Sequence, residues 1–201
     1  TVTDIDGPKA VGFLKARGVS TLTKRVAETT SAEIACVVTH PDYRGGKRGA
    51  QMLNKKLDGT TSTELSEEGA KIVKQAQAKA DEIAKLYENL NFSKALTEIR
   101  DIADLANKYF DEKAPWKLIK EDEVETKKIL TDILNIFRIM AVYLKPIVPE
   151  YAKKVETLFG EDNFSWASSQ ELVLGHKMNA YEHIATRIDP KNVEKLIAEN
   201  S

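Results

Sequence analysis

Cysteine is nearly absent from this 201-residue chain. Cys36 stands alone, which excludes an internal disulfide framework and a cysteine zinc site. A reducing compartment, the cytoplasm, is the expectation. Long apolar runs are missing too. No window approaches the roughly 18 apolar residues that a spanning helix needs, and no signal-peptide pattern opens the chain, so a membrane is not among the expected partners. Nor does one sign of charge dominate: 30 Lys and Arg against 31 Asp and Glu leave a net charge of −1, which removes any global polyanion-binding character. His40, His176 and His183 are too scattered to form a metal site by spacing, and no metal or cofactor is expected. What remains, 42% hydrophobic and 30% charged residues, is the composition of a globular chain long enough to bury a core.

Glycine is scarce after the first third. Gly7, Gly12, Gly18, Gly45, Gly46, Gly49 and Gly59 precede residue 60, and only Gly69, Gly160 and Gly175 follow. Glycine weakens helices, so the first part should be loop-rich and the rest strongly helical. The boundary falls in the turn and cap residues of LDGTTSTELS, which divides the chain into an N-terminal segment, residues 1–57, and a helical part, residues 58–201. Charge divides in the same way. Residues 1–58 carry ten basic and six acidic side chains, a local +4, and the remainder carries 20 against 25, a local −5. A basic cluster on a neutral protein is a modest pointer to nucleic acid.

Apolar spacing of three and four predicts a helix from Glu67 to Leu90. A second follows Asn91 with the buried stripe Ala95, Leu96, Ile99, Ile102, Ala103, Ala106, Tyr109 and Phe110, and ends at Pro115. A third is capped by Asp122 and is apolar nearly all round as far as Leu144, which makes it the central helix. Pro146 and Pro149 interrupt the run, and a helix resumes to Phe159 before Gly160. A loop to about Asn179 and a last helix starting at Asp189-Pro190 complete the pattern. Helices of this length on short connections imply an all-α antiparallel bundle. In the first part, Asp6 to Arg17 is a helix candidate. EIACVVT (33–39) is a strand candidate that needs a partner for its edges, so this short irregular segment could be α/β.

ALTEIRDIADLANKYFDEKAPWKL (95–118), YLKPIVPEY (143–151), LGHKMN (174–179) and RIDPKNVEKLI (187–197), with the turn NKKLDG (54–59), resemble the C-terminal anticodon-binding domain of bacterial methionyl-tRNA synthetases. The resemblance runs from about residue 53 to the end and implies an α-helix bundle. It also implies a tRNA anticodon loop as partner, with the Trp after Ala-Pro, here Trp116, stacking on the first anticodon base. The family's Asn-x-x-x-Arg element falls on Arg44 and Arg48. The Arg is kept, but Arg44 replaces an Asn and cannot reproduce that side chain's paired donor and acceptor. Asn107 and Asp111 match residues of the same family region. Aromatic stacking and side-chain hydrogen bonds to base edges are how unpaired RNA is read.

AEIACVVTHPDYRGGKRGAQML (32–53) resembles the acetyl-coenzyme-A loop of GNAT-type acetyltransferases, nearest the N-acetylglutamate synthase type. It implies pyrophosphate cradled by Arg44, Gly45, Gly46 and Gly49, although Lys47 stands where a glycine is required. The chain thus reads as a join of two families. The 201 residues contain no α/β nucleotide-binding segment, no HIGH-like signature and no KMSKS-like loop, so aminoacylation by this chain alone is excluded. A non-catalytic tRNA-binding module is the leading expectation. A protein-interaction or neutralising module on the same scaffold is the alternative, because a bundle lacking its first helix would expose apolar surface. Residues 33–56 would have to turn helical to cover that gap. Trp166 is expected to pack and His176 to hydrogen-bond within its loop.

Overall fold

The computed structural model describes residues 44–182 and Ile184, with side chains from Gly49 onward. The candidate helix at 6–17, the candidate strand at 33–39, Cys36 and the helix expected from Asp189 lie outside the described residues. Those described form helices α1 (Arg44–Lys56), α2 (Glu67–Ala78), α3 (Ala80–Glu88), α4 (Phe92–Lys113), α5 (Pro115–Leu118), α6 (Glu123–Leu144) and α7 (Pro149–Phe159), then a 3-10 turn, Trp166–Gln170. Among them there is no strand, only an isolated antiparallel bridge between Thr60 and Lys177, and no helix is long and apolar enough to cross a membrane.

The expectation of an all-α bundle around the third predicted helix holds. Asp122 caps α6 by accepting a hydrogen bond from the Glu125 N–H at 2.9 Å, and α1, α2, α4, α5, α7 and the 3-10 turn all pack against α6. From Ile129 to Leu144 it is buried on every side. The apolar pattern explains part of this. Thr131, Asp132, Asn135 and Arg138 are buried as deeply as the leucines, and each is satisfied by chain that crosses the helix. Thr131 accepts from the Ser62 N–H at 2.7 Å. Asn135 accepts from the Val173 N–H at 2.8 Å and donates back to the Val173 carbonyl at 3.2 Å. Arg138 donates a two-pronged pair to Glu161, at 2.6 and 2.5 Å, and a third bond to the Ser168 carbonyl at 2.6 Å. Polar groups on the central helix thus fix the irregular segments.

Between α1 and α2, and again after the 3-10 turn, the chain is irregular, and the two stretches pair. The Thr61 N–H donates to the His176 carbonyl, the Gly175 N–H to the Ser62 carbonyl, and the Met178 N–H to the Gly59 carbonyl, at 2.8–2.9 Å. His176 hydrogen-bonds from its loop to the end of α7, with Nε2 2.6 Å from the Phe159 carbonyl. Trp166 does pack, its ring centroid 5.2 Å from that of Tyr143 and 6.2 Å from that of Tyr87.

Three expectations change. The run from Glu67 to Leu90 is two helices that meet at Lys79, whose ammonium bridges Glu82 and, 2.7 Å away, Glu98 of α4. Asn91 holds the N-cap position of α4 but makes no side-chain cap bond. Its N–H instead bonds the Leu86 carbonyl, behind a left-handed Leu90. Residues 44–49 are not a loop. They open α1, and Gly49 is buried where a Cβ would already touch the Ile133 side chain at 3.5 Å. Gly49, inside the helix and packed on α6, leaves no open approach for a phosphate, whereas Gly45 and Gly46 lie in the first turn, where backbone N–H groups have no intrahelical partner. The same helix buries Ala50 and Leu53 completely. Over residues 44–56, the apolar gap that motivated a protein-docking reading is therefore filled by the chain itself.

Candidate nucleic-acid interface

The site is built on the end of α4. Helical spacing puts Asn107, Phe110, Asp111 and Ala114 along one side of its last two turns. Ala114 then leaves the helix in the left-handed conformation, φ 43°, ψ 55°, costly for a residue with a Cβ and unusual before a proline. Pro115 starts α5, where its missing N–H and fixed φ suit a first helical position. The Ala114 carbonyl accepts from the N–H groups of Lys117 and Leu118. This tight elbow swings Trp116 back over α4, with its ring centroid 5.5 Å from that of Phe110 and the planes tilted by 54°. Phe110 is buried, whereas the indole remains 41% exposed. Half of the described aromatic residues are sealed inside the bundle. Trp116, like Phe92 beside Tyr87, packs against an aromatic support and presents the rest outward, the arrangement a stacking platform needs.

Asp111 is exposed and Asn107 half-buried on the helix leading to the elbow. The Asn107 Nδ2 is buried and has no hydrogen-bond partner, a state that costs roughly 1–3 kcal/mol when nothing compensates. Arg44 and Arg48 stand one turn apart at the start of α1, which packs against both α4 and α6. Their side chains lie outside the described residues. The helices carrying four of the five proposed residues are therefore neighbours, and the fifth follows α4 through the elbow. Residue identity alone gave no role to Phe110 beyond the core. The signal that could have found it is its position, a buried aromatic one turn before Ala-Pro-Trp.

The charge near the platform is mixed. Lys108, Lys117 and Lys120 stand beside Asp111, Glu112 and Glu121, and Lys113 is engaged with Glu68 at 2.5 Å. Among the described residues no group of three or more His, Cys, Asp and Glu is placed to hold a metal ion.

Residues 60–199 match the family model for the anticodon binding domain of methionyl tRNA ligase. The methionine–tRNA ligase of Bdellovibrio bacteriovorus is 47% identical over 154 residues, which is 77% of this chain and 22% of that protein. That of Chromobacterium violaceum is 37% identical over 76% of the chain and again 22% of the relative. The chain therefore spans about a fifth of the length of these relatives. The free form of Mycobacterium tuberculosis methionyl-tRNA synthetase shares the fold, with a TM-score of 0.71 at 22% identity over 78% of this chain and 34% of that one. By the extent of these matches, the chain belongs to the family of the anticodon-binding domain of methionyl-tRNA ligase.

Proposed function

We propose that this chain binds the anticodon stem-loop of a tRNA and contributes recognition, not chemistry. The observation that carries the reading is the supported but exposed Trp116, set by the Ala114–Pro115 elbow onto Phe110. An unstacked loop base would lie on the free indole face. Asn107 and Asp111 would meet base edges or sugar hydroxyls beside it. The orphaned Asn107 amide supports this, because a ligand acceptor would satisfy it. Arg48 and Arg44 would supply further contacts to bases or phosphates, with Arg44 in place of an Asn shifting the balance from base reading towards phosphate. The compartment of this activity is the cytoplasm, a reading supported by a single cysteine in the whole chain.

The test is fluorescence anisotropy of a labelled CAU anticodon stem-loop beside a loop-scrambled control, at low and physiological salt. Preference for the CAU loop is expected. Trp116→Ala should weaken binding by about 1–3 kcal/mol, roughly five- to 150-fold, the contribution of one base stacked on an aromatic ring. Binding blind to both loop sequence and Trp116, and falling steeply with salt, would mean only lysines meeting phosphates and would overturn the reading.

A further inference from the structure

The buried carboxyl of Asp132 sits in a cluster of hydroxyls that is one hydrogen short when the carboxyl is ionised. Its Oδ1 accepts from the Ser66 N–H at 3.1 Å. Its Oδ2 lies 2.7 Å from the Ser66 hydroxyl and 2.7 Å from the Tyr109 hydroxyl, and those two hydroxyls are 2.9 Å from each other. Three oxygens therefore form a closed triangle, each edge at hydrogen-bond length. Serine and tyrosine bring two protons between them. With Asp132 ionised, one edge holds two lone pairs and no hydrogen. A third proton, on Oδ2, completes a ring in which every oxygen donates once. The Gly69 N–H, 2.9 Å from the Ser66 oxygen, adds a further donor to the cluster.

The charges around the triangle offer no other remedy. Among the described residues, no Lys, Arg or His forms an ion pair with Asp132. From α2 the nearby charge is Glu68, and from α4 it is Lys113, already bound to Glu68 and 5.7 Å from the centre of the Tyr109 ring. On α6 itself Glu125 adds negative charge, and from the segment before α2 Glu64 is bound to Lys128. A carboxylate here would be buried and unpaired with a cation, and the contact between the Ser66 and Tyr109 hydroxyls would lack its hydrogen.

We infer that Asp132 is a proton-holding clamp: protonated, it locks the start of α2 to α4 and α6 through Ser66 and Tyr109, and ionised, it loosens that lock and shifts the end of α4 that carries Phe110 and leads through the elbow to Trp116. Burial pushes the carboxyl above the ordinary aspartate range, outweighing the opposite pull of the Ser66 and Tyr109 hydrogen bonds, and Glu125 adds to the rise. Burial likewise pushes the Tyr109 hydroxyl up, so Tyr109 stays a donor. The sign for stability follows. A carboxyl whose pKa is raised on folding gives its full contribution below the unfolded value, and that contribution is lost as pH rises towards the folded value.

The experiment is a pH titration of the full chain with carboxyl-labelled aspartate, read by NMR together with the Trp116 indole N–H and Tyr109 ring signals. It needs no RNA, so it stands or falls apart from the anticodon reading. The Asp132 carboxyl should titrate above the ordinary value of about 3.9, with Trp116 and Tyr109 moving at the same midpoint. In Asp132→Asn, whose amide supplies the missing hydrogens permanently, that shared transition should vanish. An Asp132 midpoint in the ordinary range would overturn the inference. So would a raised midpoint that leaves Trp116 and Tyr109 unmoved. The wild-type titration reads Asp132 directly and decides the question without the variant.

Discussion

Gly69→Ala should lower the stability of the bundle by about 3–5 kcal/mol, although alanine is the better helix former by about 1 kcal/mol. Gly69 lies in the first turn of α2. A Cβ there would sit 2.0 Å from the Asp132 carboxyl carbon and 2.1 Å from its Oδ2, far inside any real contact. Neither side has room to yield, since Asp132 is fully buried in the middle of α6 and held at both oxygens. The added methyl must displace α2 or break the bonds to Ser66 and Tyr109, so an overpacking cost adds to that of orphaned buried polar groups. Urea denaturation measures the loss as a fall in midpoint. A double variant, Gly69→Ala with Asp132→Ala, should lose less than the sum of the single changes, because removing the carboxyl removes the clash. Simple additivity would show that the close approach is not the cause.

The second large effect is expected at Arg138. Its side chain is 2% exposed, among the most deeply buried in the molecule, and its guanidinium is flanked by the Phe164 ring at 5.1 Å. It ties Glu161, Ser168 and Glu171 to α6, while Lys145 just beyond α6 holds Asn163 and Phe164 between them. Arg138→Ala removes the fork, opens a cavity, leaves the Glu161 carboxylate without its partner and takes one donor from each of two carbonyls, a loss of about 3–5 kcal/mol. Arg138→Lys should recover little, since a point charge cannot bind both oxygens of Glu161 and two carbonyls at once. Amide hydrogen exchange should show the loss concentrated between Glu161 and Val173. Uniform loss over all helices would mean that Arg138 supports the core as a whole and does not act as a tether.

The helices were legible because their apolar residues recur with helical spacing and their ends carry readable punctuation. Asp122 caps α6, Pro149 opens α7, and Gly160 closes it in the left-handed conformation. The polar residues of α6 were not legible. Thr131, Asp132, Asn135 and Arg138 look like solvent-facing breaks in an apolar helix until the crossing segments that use them are placed, and those partners lie tens of residues away. The loop expected at residues 44–49 is a helix for a related reason. Three glycines suggest a loop locally, yet α6 rewards a helix there, and Gly49 serves close packing. Trp116 was visible from its neighbours in sequence. Its support by Phe110 was not, because it depends on a left-handed alanine that propensity would not place before proline.

The pairing of residues 59–62 with 175–178 has a kinetic consequence. His176 and Thr61 are 115 positions apart, and closing so long a loop in a structureless chain costs about 4 kcal/mol of entropy. A few backbone bonds cannot meet that cost alone, so the two stretches should join only after α2 to α7 have brought them within reach. What closes last tends to open first. The Thr61, Gly175 and Met178 amides should therefore exchange with solvent well before those of α6, marking the bundle's seam as its least durable part.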